Sequence, residues 1–353
     1  MKKFICFAII LGLVMQFAFA GGGRDKDTAS GSASGAGRAP SGKIVIYTSM
    51  YEDIIRNVEI ALKNEFPGCD IEFVYGGTGA LQARIASEQS SGRLGCDMLM
   101  VAEPSYSLEL KEYGMLHPYK TPEASSLAFD YDPEGYWYPV RISNMVLAYN
   151  PEKYSRASVP NSFYDFAYDD SVRGAVSMSN PLGSGTAMAT VTAIKDKYTY
   201  GYFEALGRQE VAIESGSVAT AKLESGEHKL IMILEESILK KREEEKSPLE
   251  VIYPSDGTVV IPSTIMTLNE KWSANSNISA AEAITDWFLG PEGQEAIVAG
   301  WMHSVRNNFP KLPYNAIPTA QIRANSMSVN WENCYRQREE IQNKFEELLI
   351  NRQ

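Results

Sequence analysis

The sequence predicts an α/β protein of two lobes, on two observations. From residue 43 onward, short apolar runs of strand character alternate with helical patterns across short junctions, the signature of βαβ units and a parallel sheet covered by helices. The chain is also 353 residues long, 44% apolar and 22% charged. That is too long for one small core and balanced enough to be globular, so two medium domains are expected.

The elements follow in order. "KIVIYTS" reads as a strand and "YEDIIRNVEIALKNEF" as its helix; "DIEFVYGG" precedes the helical "GALQARIASEQ", and "DMLMVAE" precedes "SYSLELKEYG". These three pairs make a first α/β lobe. "YWYPVRISNMVLAYNPE" then reads as extended strands and "AVSMS" as a further strand, with helices at "GTAMATVTAIKDKY" and "YFEALG". "KLIMILEES" is a strand feeding the helix "ILKKREEEK", which completes a second α/β lobe. Two extended runs around a polar turn follow in "LEVIYPSDGTVVIPSTIMTL", then the helical "SAAEAITDWFLGPEGQEAIVAG" and a C-terminal helix from about Asn330 to Leu349.

Lys2 and Lys3, an apolar run from Phe4 to Phe19, and small residues at Ala18 and Ala20 fit a secretory signal peptide over 1–20. Gly21 to Gly42 holds no large apolar residue and reads as a flexible leader. A periplasmic or secreted protein is expected. Beyond the signal, Cys69, Cys96 and Cys334 form no CxxC pair, so neither a disulfide framework nor a zinc ribbon is encoded, and a Cys69–Cys96 bridge is left open. The net charge of −11, more negative still once Lys2 and Lys3 are removed, opposes binding to nucleic acid or anionic lipid and favours a small solute as partner.

Three strand-to-helix junctions carry small hydroxyl or glycine residues: Thr48 and Ser49 with Tyr51, Thr78 with Gly79, and Ser184, Gly185 and Thr186. Unpaired N–H groups and the positive dipole end of a helix make such junctions seats for phosphate or carboxylate, and in open α/β sheets they gather at the carboxyl ends of the strands. Any one of them alone is an ordinary helix cap. "GGTGAL" lacks the third glycine of a dinucleotide fingerprint and "GSGTA" lacks the lysine of a P-loop. Glu235, Glu236 and Asp256 form an acidic group able to accept from ligand hydroxyls or pair with an amine, although acids also suit a helix start and Asp256-Gly257 a turn. His117, His228 and His303 are scattered, and no HExxH or GxSxG occurs. No catalytic residue and no cofactor are assigned. Tyr51, Tyr106, Trp137, Tyr138 and Trp301 would either wall a pocket or fill the core.

Taken in order, "IVIYTSMYED", "YGGTGALQARIASE", "CDMLMVAEP", "EYGMLHPY", "VLAYNPEKY", "VPNSFYDFAYDDSVRGAVSMSNPLGSGTAMA" and "DWFLGPEGQEAIVAGWMHSVRN" resemble the periplasmic solute-binding proteins of ABC importers, in the group of the ferric-iron-binding proteins, over about Lys43 to Asn307. The resemblance implies a two-lobed type II binding-protein fold with two crossing strands as hinge, near Pro139 to Tyr149 and Val259 to Met266. It implies a first lobe over 43–140 that returns over 263–310, and a second over 141–262. Residues 311–353 lie outside it, as a helical segment packing on one lobe.

In iron members of that group a tyrosine pair and a histidine hold the metal; here those positions fall on about Ser237-Ile238 and on Tyr51, so no metal site is expected. The hexose-phosphate branch offers a closer pattern. Its phosphate-holding hydroxyls map onto Thr48, Ser49, Thr78, Gly79, Ser184, Gly185 and Thr186, and its sugar-binding polar group onto Glu235, Glu236 and Asp256. Arg141, in a crossing segment, either adds a charge-assisted contact to the anion or makes a surface ion pair. The expectation is a monomeric, non-catalytic receptor of a small anionic solute, a phosphorylated sugar or organophosphate, delivered to a membrane permease. An aminophosphonate, a polyamine or ferric iron are the alternatives within the group, and a secreted hydrolase the alternative outside it.

Overall fold

The computed structural model describes residues 39–351; the signal peptide and most of the leader read from the sequence lie outside them. Strand β1 (Gly42–Thr48) leads to helix α1 (Glu52–Glu65), β2 (Cys69–Tyr75) to α2 (Thr78–Gln89), and β3 (Met98–Ala102) to α3 (Ser105–Glu112). Helix α1 buries Ile54, Ile55, Val58 and Leu62, one stripe at helical spacing, each worth roughly 1.5–3 kcal/mol of burial. After β4 (Tyr138–Tyr149) come α4 (Phe163–Tyr168), β5 (Val176–Met178), α5 (Gly185–Tyr198), α6 (Gly201–Arg208), β6 (Ala212–Ile213), α7 (Gly216–Ser225), β7 (Leu230–Leu234), α8 (Glu235–Glu244) and β8 (Glu250–Ile252). Strand β9 (Val259–Thr267) returns the chain to α9 (Ile278–Leu289) and α10 (Pro291–Ala299), and α11 (Thr319–Ala324), α12 (Trp331–Arg336) and α13 (Arg338–Phe345) close it.

The strands form one nine-stranded sheet in the order β2-β1-β3-β9-β4-β7-β5-β6, with β8 also on β4. Pairing is parallel within each wing, β2-β1-β3 on one side and β7-β5-β6 on the other. At the centre β4 and β9 run antiparallel to one another and to their outer neighbours. Every residue of β4 is buried, as expected of a strand covered on both faces. A register shift between Pro139 and Arg141 interrupts the β4 ladder. Proline has no N–H to give there, and such a bulge re-aims the side chains beside it.

Several elements differ from expectation. Helix α8 begins at Glu235 itself, so the acidic pair occupies its first turn, where carboxylates face the unpaired N–H groups. The run ending at Gly300 is two helices, because Pro291 cannot donate within a continuing helix and instead starts α10 at its first position. The C-terminal helix is α12 and α13 with a π-helical turn at Glu346–Ile350. Helices α4, α7 and α11 and strand β6 went unread; they are short, and β6 is half-buried. Cys69, Cys96 and Cys334 are buried free thiols. Cys69 and Cys96 belong to separate apolar clusters, so the bridge left open by the sequence is not formed. Among the described residues no helix is long and apolar enough to cross a membrane.

One buried amide ties the return segment to the crossing strand. Gln294, fully buried, donates through Nε2 to the Val140 and Phe288 carbonyls at 2.8 and 2.7 Å, and its Oε1 accepts from Ser304 Oγ and the Val305 N–H, both at 2.8 Å. Leucine at this position keeps the volume and orphans four polar groups. Gln294→Leu is expected to cost about 3 kcal/mol or more of stability, read as a lower urea midpoint at unchanged slope.

Candidate functional site

The three junctions read from the sequence differ in how their polar atoms are used. Thr48 is buried, with its hydroxyl donating to Met100 O at 3.0 Å and accepting from the Met50 N–H at 3.1 Å. Ser49 Oγ accepts from the Ala102 N–H at 3.0 Å. Ser184 caps α5, accepting from the Ala187 N–H at 3.2 Å, and lies 3.0 Å from Thr186 Oγ1. By contrast, α1 and α2 have no side-chain cap, which leaves their first N–H groups without a side-chain acceptor. Thr78 Oγ1 is buried and has no partner.

The starts of α2 and α5 meet across the two wings. The Gly79 N–H donates to Gly183 O at 3.3 Å. A Cβ on Gly79 would stand 2.3 Å from Leu182 O, and one on Gly185 would stand 2.8 Å from Thr78 Oγ1 and 3.1 Å from Ala102 O. Only glycine permits this approach. The space remaining between the junctions, lined by Thr78, Gly79, Glu103, Gly185 and Arg338 among others, is about 10 Å³, at most room for one water. The faces are therefore closed on each other.

The crossing strands supply a second set of polar groups. Arg141 is buried; its Nη1 donates to Met302 Sδ at 2.9 Å and its Nε has no partner. Desolvation lowers its pKa, opposed by the charge of Glu236 and by Tyr51. Glu236, also buried, accepts from Ser143 Oγ at 2.7 Å. Burial raises its pKa, opposed first by Arg141. Tyr51 keeps 41% of its surface exposed, yet its hydroxyl end is desolvated. Its pKa is pushed up to about 12, by that burial first and then by Glu236. Ser263, the register partner of Arg141 on β9, is fully buried with an unpartnered hydroxyl, and the side-chain Oδ1 of buried Asn144 also has no partner.

Two members of the expected acidic group are committed elsewhere. Glu235 accepts from Asn144 Nδ2 at 3.0 Å and from the Tyr253 hydroxyl, and meets His303 Nε2 at 3.1 Å. It is buried with both oxygens engaged, a knot between β4, α8 and the return segment. Asp256 accepts from the Phe163 and Tyr164 N–H groups at 3.0 and 2.9 Å and from the Tyr198 hydroxyl at 2.7 Å, which makes it the anchor of α4. Of the three expected carboxylates, Glu235 and Asp256 thus hold several protein partners, whereas Glu236 is bonded to Ser143 and lies in the field of Arg141. Trp137 and Tyr138 are buried in the core, Tyr106 lies buried under Arg338, and Trp301 donates to Glu243 at 2.6 Å.

Ser143, Asn144 and Ser263 are buried polar residues that no sequence motif marks as a site. Their signal is present as polar residues interrupting apolar runs, in "VRISNMVL" and "VIPSTIM". A buried polar group in a strand must find a partner or cost stability.

Two expectations follow from this geometry. Gly79→Ala forces the junctions apart, so amide hydrogen exchange over residues 180–188 is expected to speed up while that of β1 is unchanged; equal exchange in both proteins would refute the close approach. For Glu236 the folded pKa lies above the unfolded one, near 4.3. Its ionisation therefore opposes folding, and stability falls as pH rises from about 4.3 through the folded pKa. Melting curves of Glu236→Gln and the parent are expected to diverge with rising pH, the variant being the more stable, and to converge below pH 4.

Residues 96–336 match the family described as bacterial extracellular solute-binding protein. The probable ABC transporter periplasmic-binding protein y4fP of Sinorhizobium fredii is 23% identical over 290 residues, covering 78% of this chain and 76% of that protein. The periplasmic binding protein AfuA from Actinobacillus pleuropneumoniae, solved with fructose-6-phosphate bound, is similar with a TM-score of 0.75 at 19% identity, over 87% of this chain and 98% of that one. Iron-bound HitA from Pseudomonas aeruginosa is similar with a TM-score of 0.74 at 19% identity, over 87% and 99%. The two structures share this fold, a two-lobed type II binding-protein architecture with crossing strands at its centre, and their solutes differ.

Proposed function

The chain belongs to the bacterial extracellular solute-binding protein family, and from that premise we propose that it captures a small organic anion, a phosphorylated sugar or related organophosphate, for an ABC importer. A small-molecule ligand and an ABC permease as partner come with the family. The observation that carries the anionic ligand is Arg141, a buried guanidinium that among the described residues donates to the Met302 thioether and has an unpartnered Nε. A guanidinium has five donors, and a phosphate or carboxylate satisfies them in a bidentate, charge-assisted way. Thr78 Oγ1 and Ser263 Oγ are further buried hydroxyls without partners.

The reading makes the junction residues Thr78, Gly79, Ser184, Gly185 and Thr186 the walls that fold over the anion, with Thr48 and Ser49 holding the β1 end in place. Glu236 and Tyr51 contact the rest of the solute, and Glu236 selects for hydroxyls or an amine. Capture proceeds without turnover, in the periplasm, after removal of residues 1–20, by a single chain. Ferric iron fits less well, since a buried guanidinium stands beside the Tyr51 phenol, and hard ferric sites need several charged oxygen donors.

The test is calorimetric titration of the purified protein and of Arg141→Gln with sugar phosphates, aminophosphonates, inorganic phosphate, polyamines and ferric iron. The parent is expected to bind one phosphorylated class stoichiometrically, and the variant about tenfold or more weakly, the loss of a hydrogen bond to a charged group. Binding of polyamine or iron alone, or an unaffected variant, would overturn the proposal.

A further inference from the structure

The C-terminal segment, with no role assigned from the sequence, touches both wings through different chemistry. Its apolar side belongs to the β7-β5-β6 wing. Cys334, Ile341, Phe345, Leu348 and Leu349 are buried in one cluster with Ile194, Phe203 and Leu206, and Phe345 packs edge-on against Phe203 with ring centroids 6.1 Å apart. Lys195 Nζ donates to Gln337 Oε1 at 2.7 Å, and Gln342 Nε2 to Pro181 O at 3.2 Å. Apolar burial of that extent keeps α13 with α5 and α6.

Its charged side faces the other wing. Arg338 donates from Nη1 to Glu109 Oε2 at 2.5 Å and from Nη2 to Ser105 Oγ at 2.8 Å, and its Nη2 lies 3.7 Å from Glu103 Oε1. Arg336 Nη2 adds a 2.6 Å ion pair to Glu112. Glu103 is buried, holds the left-handed backbone at φ 68°, and also accepts from the Ser105 N–H at 2.7 Å. Such a conformation is costly for a residue with a side chain and persists only where its surroundings hold it. Arg338 and Glu103 both line the narrow space between the starts of α2 and α5, so this ion cluster lies beside the closing faces.

We propose that Arg338 is a closure latch, carried by the C-terminal helices with one wing and clasping Glu103, Glu109 and Ser105 of the other when the two close. Apolar packing fixes the segment to its own wing in every state, whereas the ion cluster exists only when the wings meet. The latch therefore stabilises the closed form and slows solute release, since an observed affinity scales with the population of the competent state. Its effect on solute rests on the capture reading above; its effect on the protein alone does not.

The experiment compares the full chain with Arg338→Ala, Arg338→Lys and Glu109→Gln by small-angle X-ray scattering without solute, at low and at high salt. The parent is expected to be compact at low salt. Arg338→Ala and Glu109→Gln should each show a larger radius of gyration with unchanged far-ultraviolet circular dichroism, and Arg338→Lys an intermediate value. Glu109→Gln guards against a folding defect, because it leaves the buried Glu103 paired. Once a phosphorylated solute is in hand, both latch variants should release it about fivefold or more faster, with the order of preference among esters unchanged. Identical scattering in all four proteins would overturn the latch. Failure of every ester to bind the parent would overturn the capture reading and leave the scattering result standing.

Discussion

The antiparallel pairing of β4 with β9 is the constraint on which the rest of the structure depends. Each strand is nearly wholly buried, yet between them they carry Arg141, Ser143, Asn144 and Ser263. Burying such groups is costly unless something meets them. What meets Arg141, Ser143 and Asn144 comes from elements outside the pair: Glu236 and Glu235 from α8 and Met302 from the return segment, while the Ser263 hydroxyl has no partner. The seam where the two wings join is consequently polar, incompletely satisfied and lined by both of them. The capture of an anion proposed above makes use of those unsatisfied donors.

Two adjacent glutamates show how local geometry divides one residue type into two roles. Glu235 faces Asn144, Tyr253 and His303, and both of its carboxylate oxygens are engaged by protein. Glu236, one position on and rotated by the helix, faces Ser143 and the field of Arg141. Its raised pKa and the lowered pKa of Arg141 have one cause, the loss of water around both charges, which their mutual attraction offsets only in part. A solute carrying its own charge into this seam would replace some of that missing water.

Closure itself depends on the smallest residues. Gly79 and Gly185 allow two helix starts to approach within hydrogen-bonding distance, and the C-terminal helices pack beside them through Phe345 and Arg338. Apolar contacts there hold a segment to its wing, while charged contacts reach across. The two kinds of force differ in reversibility. A buried aromatic pair separates only with loss of core, but an ion cluster at a mouth can resolvate.

Most of the architecture was legible in the sequence. The alternation of runs gave β1 to β3 with their helices, and the ordered motifs implied the fold and family that the matched relatives support. Legibility failed for short elements such as β6 and α4, whose periodicity is too brief to register, and for residue roles that depend on distant partners. Asp256 reads as a turn or ligand residue, but it anchors α4 because folding brings the Phe163 and Tyr164 amides to it. Sequence alone determined the longer strands and helices and where glycine and hydroxyl junctions fall, since those follow from local periodicity and composition. Only the tertiary structure decided which carboxylates stay uncommitted, that Arg141 is buried without enough acceptors, and that Arg338 reaches the opposite wing. Those outcomes are set by desolvation and by contacts between residues up to 235 positions apart, as between Arg338 and Glu103, and no local pattern encodes them.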